Sequence, residues 1–280
     1  HAPIISTSDT KPYFIDGSPT VYTFSTDNDG TIDHTDGDKA YLYLTARRGG
    51  RFIYALNISD PEAPSLLWKR TNADTGFAEL GQTWSELKVG RIRGQTDPVV
   101  IFGLGYDSVA NDTSVTPAPS TMGRGVMVLN AVTGAKIWST EDASGANRNG
   151  TNEYAIAAGV APVDTNFDGY VDRIIAADTG GNIWRINVDY TGAPTSNTSN
   201  DPSYWTIDKL ATLGTGTGGG ARKFLAAPDV VVASTAGIPV PYDTILIGSG
   251  DREQPFDTTV TNRFYMLKDE HLLTYRYTTA

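Results

Sequence analysis

Four times along this chain a leading strand-like run is followed by a turn, two more strand-like runs and a closing run, and this repetition constrains the fold more than any single motif. The leading runs are residues 18–25, 84–92, 155–163 and 224–233. Inner hairpins follow at 41–45 with 51–58, 98–103 with 126–130, 173–177 with 182–188, and 244–248 with 263–268. Outer strands at 65–70, 135–140, 204–210 and 272–277 close the units. Runs such as 50–58 alternate apolar and polar with a period of two, the strand period and not the helix period. Four antiparallel strands recurring about every 60 to 75 residues predict an all-β β-propeller, in which each blade buries one face on the next. A β-sandwich, the competing architecture, does not repeat a hairpin together with its turn. Residues 1–280 then read as one propeller domain with blades at about 12–71, 80–141, 154–212 and 222–280. Four blades are few for a closed ring, which suggests four consecutive blades of a larger propeller.

Composition removes several classes of function. With 280 residues and a net charge of −10, the chain has no basic face for nucleic acid. It has no Cys, so disulfides, thiolate metal sites and thiol nucleophiles are excluded. No run of about 18 apolar residues exists to span a membrane. The chain begins at His1 without an initiator Met, as expected of a processed chain or a fragment. His1, His34 and His271 stand apart from any nucleophile or metal-ligand spacing and read as surface or packed residues. The tract 214–220 lacks the Gly-Lys-Ser/Thr ending of a phosphate loop and reads as an inter-blade linker. Trp68, Trp84, Trp138, Trp184 and Trp205 fall at equivalent strand positions and read as inter-blade packing, against the alternative of a sugar platform.

The third unit carries the chemistry. Asp164, Asn166 and Asp168 place side-chain oxygens at positions 1, 3 and 5 of a short loop, Gly169 follows at 6 and Asp172 at 9. Ca²⁺ takes six to eight oxygens at about 2.3–2.6 Å, and a Gly lets the chain turn sharply around it. The expected ligands are Asp164, Asn166, Asp168, the Tyr170 carbonyl and Asp172, with water completing the shell. Position 12 is Ile175 and strands flank the loop, so this is a calcium-binding β-hairpin turn and not an EF-hand. The alternative is a metal-free Gly/Asp turn. A second loop repeats the pattern with Ser25, Asp27, Asp29, the Thr31 carbonyl and Asp33, and is expected to be a weaker site because a neutral hydroxyl replaces the first carboxylate.

The order of motifs resembles the PilY/PilC family of type IV pilus biogenesis factors and tip adhesins. Pro12-Tyr13-Phe14-Ile15-Asp16-Gly17-Ser18-Pro19, Leu80-Gly81-Gln82-Thr83-Trp84, Phe102-Gly103-Leu104-Gly105-Tyr106 and Gly181-Asn182-Ile183-Trp184-Arg185 occur in the family's order across about residues 12–268. Leu104 departs from the family's Asn, Asn57 from its Asp, and the 25–33 loop is additional. The resemblance implies the C-terminal propeller of a non-enzymatic extracellular protein, at the pilus tip or on the bacterial outer-membrane surface. It implies minor pilins or the pilus tip, and host or abiotic surfaces, as partners, with calcium-dependent control of retraction, surface attachment and twitching motility. The alternative is a quinoprotein-dehydrogenase-like periplasmic enzyme, which the segment Thr133-Gly134-Ala135-Lys136-Ile137-Trp138 resembles.

Overall fold

The computed structural model describes residues 13–143, 152–188, 200–233 and 242–270, with the backbone of 148–149. Its strands group into four sheets in chain order. The first sheet is β1 (Thr20–Phe24), β2 (Lys39–Thr45), β3 (Phe52–Asn57) and β4 (Ser65–Thr71). The second is β5 (Lys88–Gly90), β6 (Val99–Gly103), β7 (Val126–Asn130) and β8 (Lys136–Ser139). In the third, β10 (Ala161–Val163), β11 (Arg173–Ala177), β12 (Asn182–Asn187) and β13 (Thr206–Thr212) form the meander, and β9 (Arg148–Asn149) adds in parallel to β13. The fourth is β14 (Asp229–Ala233), β15 (Tyr242–Gly248) and β16 (Phe264–Asp269). The expected outer strand at 272–277 lies outside the described residues, as do His1 and His271. The only α-helix among the described residues is one turn, α1 (Ser108–Asn111), started by Asp107, whose carboxylate accepts from the Val109 and Ala110 N–H groups.

Among the described residues three large cores sit between neighbouring blades, and a small cluster of Tyr106, Ala157 and Leu225 joins the second, third and fourth. Tyr43, Ile53 and Trp68 of the first blade meet Val100, Phe102 and Leu129 of the second. Val99, Ile101 and Trp138 of the second meet Ile174, Ile186 and Trp205 of the third. Ile175 and Ile183 of the third meet Phe224, Ile245 and Ile247 of the fourth. Alternate residues of β6 therefore enter different cores, and all five of its residues are buried. A strand covered on both faces reads as an unbroken apolar run, which is why 98–103 lacks the alternation of 50–58. The inner strands neighbour one another in the order β1, β5, β10, β14. The outer faces of the end blades are not packed together: Val21 and Leu66 remain exposed on the first, Phe264 and Met266 on the last. This is an all-β propeller arrangement, as the repeat predicts.

Buried charge also crosses a seam. Arg173 on β11 pairs with Asp243 on β15 at 2.7 Å, and Arg185 on β12 with Asp269 on β16 at 2.6 Å. Burial pushes the Asp243 carboxyl up, and Arg173 opposes the shift. Trp68, Trp138, Trp184 and Trp205 pack in the cores as expected. Trp84 also packs between blades, half-buried against Tyr106, Ala157 and Leu225, stacked on Tyr106 at 4.6 Å and flanked by the guanidinium groups of Arg47 and Arg48. The 214–220 tract joins the third and fourth blades as expected of a linker, and Gly218–Gly220 within it forms a single 3-10 turn.

Candidate metal centre

Because each blade is an antiparallel meander, its first and second turns lie at opposite ends of the ring. The 164–172 loop is the first turn of the third blade, joining β10 to β11, and 25–38 is the first turn of the first blade, joining β1 to β2. Their backbones follow the same path. Position 4 is left-handed in both (Asn28 φ 58°, Phe167 φ 60°), and so is position 6 (Gly30 φ 89°, Gly169 φ 88°). A non-glycine residue in this region is uncommon, so its recurrence at the same place marks one loop design used twice.

In the 164–172 loop the side-chain oxygens gather around backbone N–H groups. Asp168 N–H donates to Asp164 Oδ1 and to Asn166 Oδ1, both at 3.1 Å, and Gly169 N–H donates to Asp164 Oδ2 at 2.8 Å. Tyr170 N–H donates to Asp168 Oδ1 at 2.9 Å, and Thr165 N–H to Asp172 Oδ2 at 2.8 Å. Asp168 Oδ2 also pairs with Arg93 and accepts from Asn166 Nδ2 at 2.9 Å. Burial raises the Asp168 carboxyl, but Arg93 and the Tyr170 N–H outweigh it and hold the group below its ordinary value. Among the described residues no three His, Cys, Asp or Glu side chains converge as a ready metal cage. The physical reason is local: backbone donors and Arg93 already answer the mutual repulsion of the three carboxylates.

The donor set still suits a hard cation. Each carboxylate oxygen offers two lone pairs and a single N–H uses one of them. Asp164 and Asn166 aim oxygens at the same N–H, and every donor is an oxygen. The Tyr170 ring is held between Arg91 and Arg93, with the guanidinium carbons 5.5 and 4.7 Å from its centroid, and Val171 N–H donates to the Arg91 carbonyl at 2.8 Å. The loop is thus anchored on the second blade. Sequence reading missed these two arginines, which follow β5 at the start of a turn.

The first loop differs at its ninth position. Asp38 takes the structural place of Asp172: it directly precedes β2 as Asp172 precedes β11, and both are almost fully buried. Asp38 Oδ1 accepts from Thr26 N–H at 2.7 Å, as Asp172 does from Thr165, and Oδ2 accepts from Asp33 N–H at 3.1 Å. Asp33 instead caps a 3-10 turn, His34–Asp36, by accepting from Thr35 N–H at 2.8 Å. Asp27 and Asp29 behave as Asn166 and Asp168 do, with Asp29 N–H donating to Asp27 Oδ1 at 3.2 Å and Thr31 N–H to Asp29 Oδ1 at 2.8 Å, whereas Ser25 accepts from Asn28 N–H and donates its hydroxyl to Asp27 Oδ1, both at 3.0 Å. His34 is exposed, with its ring nitrogens near Asp33 and Asp60.

No protein-family model matches the chain. Curated relatives are more informative. A type IV pilus biogenesis factor PilY1 of Pseudomonas aeruginosa is 30% identical over 200 residues, 68% of this chain and 14% of that protein. A PilY1 homologue of Xylella fastidiosa is 29% identical over 174 residues, 62% of this chain and 12% of that protein. The crystal structure of the Pseudomonas aeruginosa PilY1 C-terminal domain superposes with a TM-score of 0.65 at 20% identity, covering 92% of this chain and 49% of that one. The chain therefore spans about an eighth of the curated relatives it matches and half of the solved domain. Among the described residues no helix is long and apolar enough to cross a membrane. The collinear motifs, the four radial sheets and these relatives together identify the chain as a homologue of the PilY1 type IV pilus biogenesis factors, with the fold of their C-terminal domain.

Proposed function

We propose that the chain is a calcium-binding propeller segment of a type IV pilus biogenesis factor, and that it acts outside the cell at the pilus tip or outer-membrane surface. The observation that carries this reading is the 164–172 loop, whose oxygen donors stand in calcium-loop order on a backbone turned at positions 4 and 6. Asp164, Asn166, Asp168, the Tyr170 carbonyl and Asp172 would hold the ion, which supplies positive charge and fixed coordination where the loop meets the second blade. Ser25, Asp27, Asp29 and the Thr31 carbonyl would form a weaker site in the first loop, with Asp33 or, in the structural place of Asp172, Asp38 as the closing carboxylate. The four blades are read as part of a larger ring, in line with the exposed outer faces of the first and last.

In this reading the module works by binding and assembly and not by catalysis. It meets minor pilins at the pilus tip, supports pilus assembly, opposes retraction when calcium is bound, and contributes to attachment to host or abiotic surfaces. The test is complementation of a strain lacking its own factor with the full-length protein, wild type or Asp168→Ala. Surface pili and twitching restored by the wild type, with an altered calcium response in the variant, are the expected result. Full-length wild-type protein that restores neither pili nor twitching would overturn the assignment.

A further inference from the structure

At the end of the ring opposite the 164–172 loop, the turn between β2 and β3 meets the segments that lead into β5, β10 and β14. Most cations here are satisfied by carboxylates or by backbone carbonyls, as Arg51 is by the Leu80 carbonyl and Arg222 by the Ala221 carbonyl. Arg48 pairs with Asp112 at 2.9 Å and with Glu253, and Lys223, almost fully buried, pairs with Asp251 at 2.7 Å. Arg47 and Arg252 have no carboxylate partner among the described residues, and the Arg47 guanidinium lies 5.6 Å from the centre of the Trp84 ring. Both arginines line one cavity of about 160 Å³, together with Trp84, Glu86 and the small-residue segments 157–159 and 225–227. Arg47 is also one of few non-glycine residues with a left-handed backbone (φ 48°), a conformation that persists where its surroundings impose it. Two unpaired guanidinium groups facing one cavity are unexpected in a chain of net charge −10.

We propose that this pocket binds a single carboxylate carried on a short apolar stem. Guanidinium groups recognise planar oxyanions through paired N–H donors. The Trp84 face and the Ala, Gly and Leu walls suit a stem of a few carbons. The volume fits about five water-sized groups at ~30 Å³ each, enough for a carboxylate and two or three carbons. Glu86 on the rim, 3.2 Å from Lys88, disfavours a phosphate, which carries more negative charge at neutral pH. The acid is a free small molecule or an acidic side chain of a protein that reaches the ring axis, and the same two arginines would read either one.

The test is nuclear magnetic resonance titration of the 280-residue chain, following the Trp84 indole N–H, which donates to Gln82 Oε1 at 3.3 Å. Its signal is assigned by its loss in Trp84→Phe. The probes are butyrate, N-acetylglutamate α-amide and inorganic phosphate at matched ionic strength. Saturable shifts with either carboxylate and none with phosphate are expected, weakened about tenfold in Arg252→Gln and in Arg47→Gly, since each removes one charge-assisted partner. Arg47→Gly keeps the left-handed backbone accessible, and Arg252 is exposed, so its replacement leaves the fold intact. Tighter binding of the glutamate amide assigns a protein side chain as the source, and tighter binding of butyrate a free acid. No saturable carboxylate shift, wild-type affinity in either variant, or a preference for phosphate would overturn the proposal.

Discussion

Replacing Arg93 by Gln is expected to strengthen calcium binding at the 164–172 loop by about tenfold. Arg93 holds Asp168 Oδ2, so under the proposed calcium reading the ion would have to displace the guanidinium before that oxygen could coordinate it. The Arg93 side chain is 27% exposed and that of Asp168 8%, which places the pair between two known classes. Exposed pairs contribute about 0.2–1 kcal/mol, and breaking a buried pair costs about 3–5 kcal/mol. An intermediate value of about 1.5 kcal/mol corresponds to a factor of about ten in the dissociation constant. Gln keeps part of the stem that covers the Tyr170 ring and removes only the charge. Isothermal titration calorimetry of both proteins at equal ionic strength, with thermal melts as a folding control, reads the difference. Unchanged or weaker calcium affinity in a folded Arg93→Gln protein would refute the competition.

Asp38→Ala should destabilise the first blade more than Asp33→Ala, by about 1–3 kcal/mol against less than about 1 kcal/mol, because Asp38 satisfies two backbone N–H groups from a buried position; thermal melts compare them. Gly103→Ala should cost about 1–3 kcal/mol in urea unfolding, since its Cβ would lie 2.4 Å from the Ile156 carbonyl oxygen across the blade seam. Arg173→Met leaves Asp243 buried without its 2.7 Å partner and should cost about 3–5 kcal/mol at neutral pH, most of it recovered in the Arg173→Met/Asp243→Leu double variant. Burial already raises the Asp243 carboxyl, and losing Arg173 raises it further, so the single variant should gain stability as the pH falls toward the unfolded value of about 4. A single variant whose stability falls steadily over that range would contradict this sign.

The strands were legible because neighbouring blades impose their pattern locally. The expected runs at 126–130 and 173–177 coincide with β7 and β11, and the other inner-hairpin runs differ from their strands by one or two residues at an end. The leading strands are shorter than their runs: the expected strand 84–92 gives only Lys88–Gly90, and 84–86 lines the cavity at the axis instead of pairing. Asp33 was legible as an acidic residue but not by its role. Residues 34–37 insert a 3-10 turn that moves the buried position to Asp38, and counting along the chain cannot reveal an insertion that the fold absorbs in a turn. Arg93 was hidden for another reason. Its partner lies 75 residues away across a seam, and such a pairing leaves no mark on local spacing.

The central claim is that a calcium ion occupies the 164–172 loop, and a high-resolution crystal structure grown in millimolar calcium tests it most directly. The account predicts a peak within about 2.3–2.6 Å of oxygens from Asp164, Asn166, Asp168, Asp172 and the Tyr170 carbonyl, with Arg93 moved off Asp168 Oδ2. Density showing only water in the loop, with Arg93 still paired to Asp168, would contradict it.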